Sequence, residues 1–153
     1  MSTYARAWLF PEARVIFTRT FADDASEEDA NGLIDFFSWL EKFEGPGALP
    51  RNQPPIVVHD WRSFRSVPLV ARRVFVKRRK EISTTPERIV VAVDVNPVLR
   101  MALRTVALAA QLVTRAVPLE LVDDPTVALA KAGVDAPDPL LHLRLREAWR
   151  HRP

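Results

Sequence analysis

The chain has 153 residues, with 22 Lys and Arg against 19 Asp and Glu, three His and no Cys. A length of about 150 residues suits one domain, 1–153, able to bury roughly two-thirds of its unfolded surface without a disulfide or a structural metal. The lack of cysteine removes disulfide scaffolds, Cys-ligated zinc sites, iron–sulfur clusters and cysteine nucleophiles. Charge is polarised: residues 1–53 carry 5 basic and 9 acidic side chains and residues 54–153 carry 17 and 10, so the net +3 joins an acidic third to a basic remainder. The first ten residues show no basic-then-apolar signal pattern. The most apolar window, 98–113, is broken by Arg100, Arg104 and Gln111 and falls short of a membrane span, so a cytoplasmic location is expected.

In chain order, Tyr4–Phe10 and Arg14–Phe21 are two short apolar-rich runs around Pro11-Glu12-Ala13, the pattern of an antiparallel hairpin. Ser26 with Asp29 three positions on predicts a capped helix start, and Leu33, Phe36, Phe37, Leu40 and Phe43 give that helix an apolar face ending near Gly45. A proline-rich loop then leads to Ile56-Val57-Val58-His59, a continuous apolar run expected to form a strand covered on both faces. A second helix is predicted from Ser66–Pro68 to about Ile82, capped by Ser66, with Val67, Val70, Ala71, Val74, Phe75 and Ile82 inward. Arg78 falls near its apolar side. Ile89–Val93 repeats the buried-strand pattern, and Asn96-Pro97 opens a third helix on which only Arg100, Arg104, Gln111 and Arg115 form a polar stripe. Its wide apolar arc is either buried inside the domain or a subunit contact, the basis for expecting a homodimer. Leu119–Val122 is a last strand, Asp124-Pro125 caps a short helix ending at Gly133, and Asp138-Pro139 opens a terminal helix. The order ββαβαβαβ plus two helices gives an α/β class: a mixed central sheet of about five strands with helices packed against it and right-handed crossovers.

The hairpin start, the first helix, Ile56–Asp60 leading into a second helix and Ile89–Asp94 leading into a third together resemble a STAS domain. This is the family of anti-sigma-factor antagonists and sulphate-transporter C-terminal domains, here as a diverged bacterial member. The likeness covers 4–133, with 138–150 as an extra helix. It implies a non-catalytic regulatory or adaptor domain that works by binding another protein and is switched by phosphorylation. The family's switch is an Asp, then Ser or Thr, then Gly, at the end of the strand before the second helix. Here Asp60 matches and Trp61 and Arg62 follow, so the candidate phosphoacceptors are Ser63 and Ser66. Amide groups at a helix start and Arg62 or Arg65 would favour a phosphate there.

Other constellations allow other chemistry. Asp60, Asp94, Asp123 and Asp124 each follow a predicted strand, at the edge where open α/β sheets bind ligands. Convergent, they would hold a divalent cation for a small metal-dependent phosphotransfer or hydrolytic enzyme; separate, they are caps and turns, with no metal or other cofactor implied. His59 beside Asp60 is either a general base oriented by a carboxylate or a hydrogen-bonded histidine at a strand end. Gly32, Gly45, Gly47 and Gly133 form neither a dinucleotide fingerprint nor a P-loop. Arg72, Arg73, Lys77, Arg79 and Lys80 form a basic helix face, a docking surface for an acidic protein or, as a further alternative, for nucleic acid or another anion. No helix-turn-helix or stacking motif accompanies it, so nucleic acid is the weaker partner. Leu141, Leu145 and Trp149 on the terminal helix make a candidate docking element.

Overall fold

A computed structural model describes residues 5–20, 23–24, 26–66, 68–93, 97–98, 100–101, 104 and 117–134. The chain is α/β. A five-stranded mixed sheet runs β1 (Ala5–Phe10), β2 (Val15–Thr20), β3 (Ile56–Asp60), β4 (Arg88–Ala92) and β5 (Leu119–Val122), in spatial order 1-2-3-4-5. Only β1 and β2 are antiparallel; every later pair is parallel. The hairpin closes through Arg14, whose N–H donates to the Pro11 carbonyl at 3.1 Å and whose φ of 58° is left-handed. The Arg14 side chain supports that backbone by donating to the Pro54 carbonyl and pairing with Glu87.

Strand parity divides the core. Val15, Phe17, Ile56, Val58, Val90 and Ala92 pack with Ala128, Leu129, Ala132 and Val134, from α3 (Pro125–Lys131) and the turn after it. Ile16 and Val57 point the other way, onto Phe36, Leu33 and Phe37 of α1 (Glu27–Leu40). α2 (Leu69–Arg78) packs beside α1 through Ala30, Ala71 and Val74. Parallel strands that step in one direction with one crossover hand carry their connecting helices to one side. That leaves the opposite side to α3. Residues 97, 98, 100, 101 and 104 are helical; the rest of the third-helix stretch and the terminal helix, with Leu141, Leu145 and Trp149, lie outside the described residues. Among the described residues no helix is long and apolar enough to cross a membrane.

Local signals hold at most boundaries. Ser26 Oγ accepts from Asp29 N at 3.1 Å and Asp29 Oδ2 accepts from Ser26 N at 3.0 Å, a complete capping box with acids in the first turn facing the positive end of the helix dipole. Asp124 caps α3 by accepting from Thr126 N at 2.6 Å, ahead of Pro125, and Gly133 turns away at φ 86°.

Three expectations are corrected. α1 stops at Leu40, capped by Glu41, after which the Lys42 and Phe43 N–H groups reach back only three residues, to Trp39 and Leu40, so Phe43 packs on Trp39 from the loop at 4.8 Å rather than from the helix. α2 begins at Leu69 and ends at Arg78, followed by a 3₁₀ turn, Arg79–Glu81. Ser66 does not cap it: the cap residue is Pro68, and Ser66 Oγ instead donates to Asp24 Oδ1 at 2.5 Å, where the two segments form a parallel bridge. With the helix so placed, Val70 turns outward and is 42 % exposed.

Phe17 is fully buried and stacks on Trp8 at 5.2 Å, so Phe17→Ala should lower unfolding free energy by about 3–5 kcal/mol, against about 1 kcal/mol for Ser26→Ala. Urea midpoints at unchanged m-value would check both.

Candidate functional site

Thr18, Thr20, His59 and Asp60 are the buried polar or charged side chains among the described residues, and all four lie at the carboxyl ends of β2 and β3. Burial of such groups is costly unless each finds a partner. Here the register supplies them: Thr18 lies opposite His59 and Arg19 opposite Asp60.

On the α1 side, Thr18 Oγ1 and His59 Nδ1 are 2.6 Å apart. The imidazole stacks on Trp61, with centroids 4.9 Å apart and planes at 21°, and meets Phe37 edge-on at 6.3 Å. This burial pushes the His59 pKa from its ordinary 6.5 down to about 4, so the ring is neutral near pH 7. His59 is the hydrogen-bonded strand-end histidine; its neighbour Asp60 points to the opposite face and its partner is a threonine. Thr20 Oγ1 donates to the Asp60 carbonyl at 3.1 Å. Its single hydrogen is thereby used, so in the 2.9 Å contact between Thr20 Oγ1 and Ser63 Oγ the serine is the donor.

On the α3 side, Asp60 Oδ2 accepts from Arg19 Nε at 2.8 Å and from Arg62 Nη2 at 3.1 Å, and Oδ1 accepts from Arg62 Nε at 2.9 Å and Arg62 N at 3.3 Å. The carboxylate is 2 % exposed and lies between two guanidiniums that are themselves partly open to water. The Arg19 guanidinium also lies over Phe17 and Trp8, 5.6 and 6.0 Å from their ring centres. Trp61 N donates to the Ala92 carbonyl at 2.8 Å, tying the segment to β4.

The other strand-end aspartates have separate engagements. Asp123 pairs with Arg100. Asp124 caps α3, and its carboxyl is held below the usual range by the Thr126 N–H, with the Arg62 charge contributing. Asp94 lies outside the described residues. Among the described residues, no three His, Cys, Asp or Glu side chains stand close enough to hold a metal ion. Ser63 is half-buried beside Thr20, and Ser66 is exposed beside Asp24.

The basic face divides in two. Arg72, Arg73, Lys77, Arg79 and Lys80 are exposed, whereas Arg78 turns inward, donating to Asn31 Oδ1 and Asp35 Oδ1 at 2.8 Å each and to Glu81 at 2.7 Å. The bonds to Glu81 and Asp35 raise its pKa further. Sequence reasoning missed Arg19 altogether. Its signal was alternation: β2 places Arg19 on the face of Val15 and Phe17, where a cation needs an acid.

His59 is a base with a depressed pKa in the folded chain, so its contribution is fully present above about pH 6.5 and is lost as pH falls toward about 4. The loss is on the order of 3 kcal/mol. Urea unfolding at both pH values should show wild type losing that much more stability than His59→Gln; equal losses would contradict a neutral buried ring. Comparison with protein-family models, with curated proteins and with solved structures gives no match.

Proposed function

We propose that the chain is a STAS-like regulatory or adaptor domain acting by protein–protein association, and that the outer face of α2 docks an acidic protein surface. One observation carries this reading. At 100° per residue Leu69, Arg73 and Val76 lie within about 60° of one another, opposite the buried Ala71 and Val74. Leu69 is 59 % and Val76 83 % exposed, and around them Arg72, Arg73, Lys77 and Lys80 are all open to solvent. Apolar side chains at the centre of a cationic rim suit a protein interface, where the centre is desolvated and the rim steers the approach. A nucleic-acid backbone would leave Val76 without a counterpart, which favours the protein reading.

Of the two candidate switch residues, the surroundings favour Ser63. A phosphate on Ser66 would meet the Asp24 carboxylate that its hydroxyl now contacts, with Asp23 nearby on Arg65. Ser63 has Arg62 as its chain neighbour and directs its proton to Thr20, leaving its oxygen lone pairs for a phosphoryl donor.

The test is capture from native extract on immobilised wild type, on Val76→Asp and on Arg73→Glu/Lys77→Glu. These side chains are exposed, so melting temperatures should stay unchanged. A protein held by wild type should be retained at least about tenfold less by both variants and should elute with salt. Equal retention by the variants would overturn this face as the interface. A light-scattering mass of twice the chain, lost in the same variants, would identify the acidic partner as a second copy.

A further inference from the structure

The outer faces of α1 and α2 make one surface with opposite charge at its two ends. Each helix links a pair of parallel strands, so the two run in the same direction. They meet through Ala30 and Ala71, and a parallel bridge joins Asp24 to Ser66 ahead of them, so the first turn of α1 lies level with the start of α2. At 100° per residue Glu27, Asn31 and Asp35 fall within about 80° of one another, with Glu27 opposite the buried Phe36. Arg78 of α2 reaches Asn31 and Asp35 on that side, which joins the two outer faces.

Residues 23–29 carry five acids and no base, and residues 72–81 carry six bases and one acid. Part of this charge is met locally. Asp29 and Arg72 have other contacts, and Arg65 stands against Asp23. Asp24, Glu27 and Glu28 remain, all exposed. At the other end Arg78 bonds two carboxylates, Asp35 and Glu81. The Arg78 bond, and further off the charges of Lys80 and Lys77, hold the Glu81 carboxyl below its ordinary range. The second carboxylate thus offsets one of the four exposed cations Arg73, Lys77, Arg79 and Lys80, and a surplus of three stays. The two ends match in size and differ in sign, with Glu28 and Lys77 about 12 Å apart along the helices. Leu69, Val70 and Val76 are exposed along the same stretch.

We propose that the acidic surface met by the outer face of α2 is the first turn of α1 in a second copy of the chain, and that two copies pack these faces with their helices antiparallel. The partner so named rests on the reading of α2 as a docking face. A face with one sign of charge repels its own copy, whereas one that is acidic at one end and basic at the other is self-complementary under a twofold axis. Each acidic end then meets the basic end of the other copy, the apolar side chains lose water, and the contact closes at two.

Light scattering of the whole chain at rising concentration, up to on the order of 100 μM, tests this. Wild type should approach the mass of two chains, and its dissociation constant should rise at least about tenfold between about 0.05 and 0.5 M salt. Glu27→Lys/Glu28→Lys and Lys77→Glu/Lys80→Glu should each weaken self-association at least about tenfold. An equimolar mixture of the two should restore it, since one copy is then basic at both ends and the other acidic at both. Should the first variant fail to fold by circular dichroism, Glu27→Gln/Glu28→Gln decides by the same loss. A wild-type mass of one chain throughout would overturn the second copy as partner while leaving the α2 face to the capture experiment. Loss in only one of the two variants would overturn the pairing of these ends, loss in the lysine variant alone still keeping the α2 face. A dimer that survives both pairs of substitutions, a mixture that stays monomeric, or a mass that climbs past two would overturn the arrangement as well.

Discussion

β3 has no face in water. All five residues from Ile56 to Asp60 are buried, and that constraint organises the rest of the molecule. Ile56 and Val58 need the layer that α3 provides, and Val57 needs the layer that α1 provides. A strand of this kind is normally apolar throughout, yet this one ends in His59 and Asp60, the costliest residues to bury without partners. β2 answers both in register, Thr18 for His59 on one face and Arg19 for Asp60 on the other. A slip of one residue would turn the threonine and the arginine to the wrong faces, so the two polar pairs pin the β2–β3 register as well as satisfying the core.

The same economy operates between the helices. α1 and α2 meet through small residues, Ala30 and Ala71, which let the backbones approach, and Arg78 joins their ends by reaching Asn31, Asp35 and Glu81. Because one cation of the basic run is used in this way, the others project outward. α1 covers the sheet, α2 covers α1's flank, and the outer side of α2 receives no covering from the described residues. The acidic N-terminal third and the basic remainder seen in the composition therefore meet at the α1–α2 contact through Asp35 and Arg78 before they diverge on the surface.

The carboxyl edge of the sheet differs on its two sides. Toward α1 lie a neutral imidazole, two threonines and aromatic rings; toward α3 lie guanidiniums on a single carboxylate. One side is dry and packed, the other cationic and partly hydrated. This asymmetry follows from strand periodicity, since neighbours in a strand face opposite ways. It separates His59 from Asp60 although they are adjacent in the chain.

Much of the architecture was readable from the sequence because its signals are local. The strand runs, the Ser26–Asp29 box and the Asp124-Pro125 start of α3 all arise from interactions within a few residues, and helical periodicity alone put Arg78 near the apolar side of α2, although the partners that hold it there, Asn31 and Asp35, are more than 40 residues away. The start of α2 was not, because Ser66 found a stronger partner in Asp24, 42 residues away, than in the helix ahead of it. The Arg19–Asp60 pair was illegible for the same reason: it spans 41 residues and exists only once β2 and β3 are known to be neighbours in a given register. The sequence by itself determined which segments become strands and helices, since backbone propensity, caps and apolar periodicity act over one or two turns. Only the tertiary structure decided which charges are paired inside and which are left at the surface, because that depends on strand order and on which face each side chain is given.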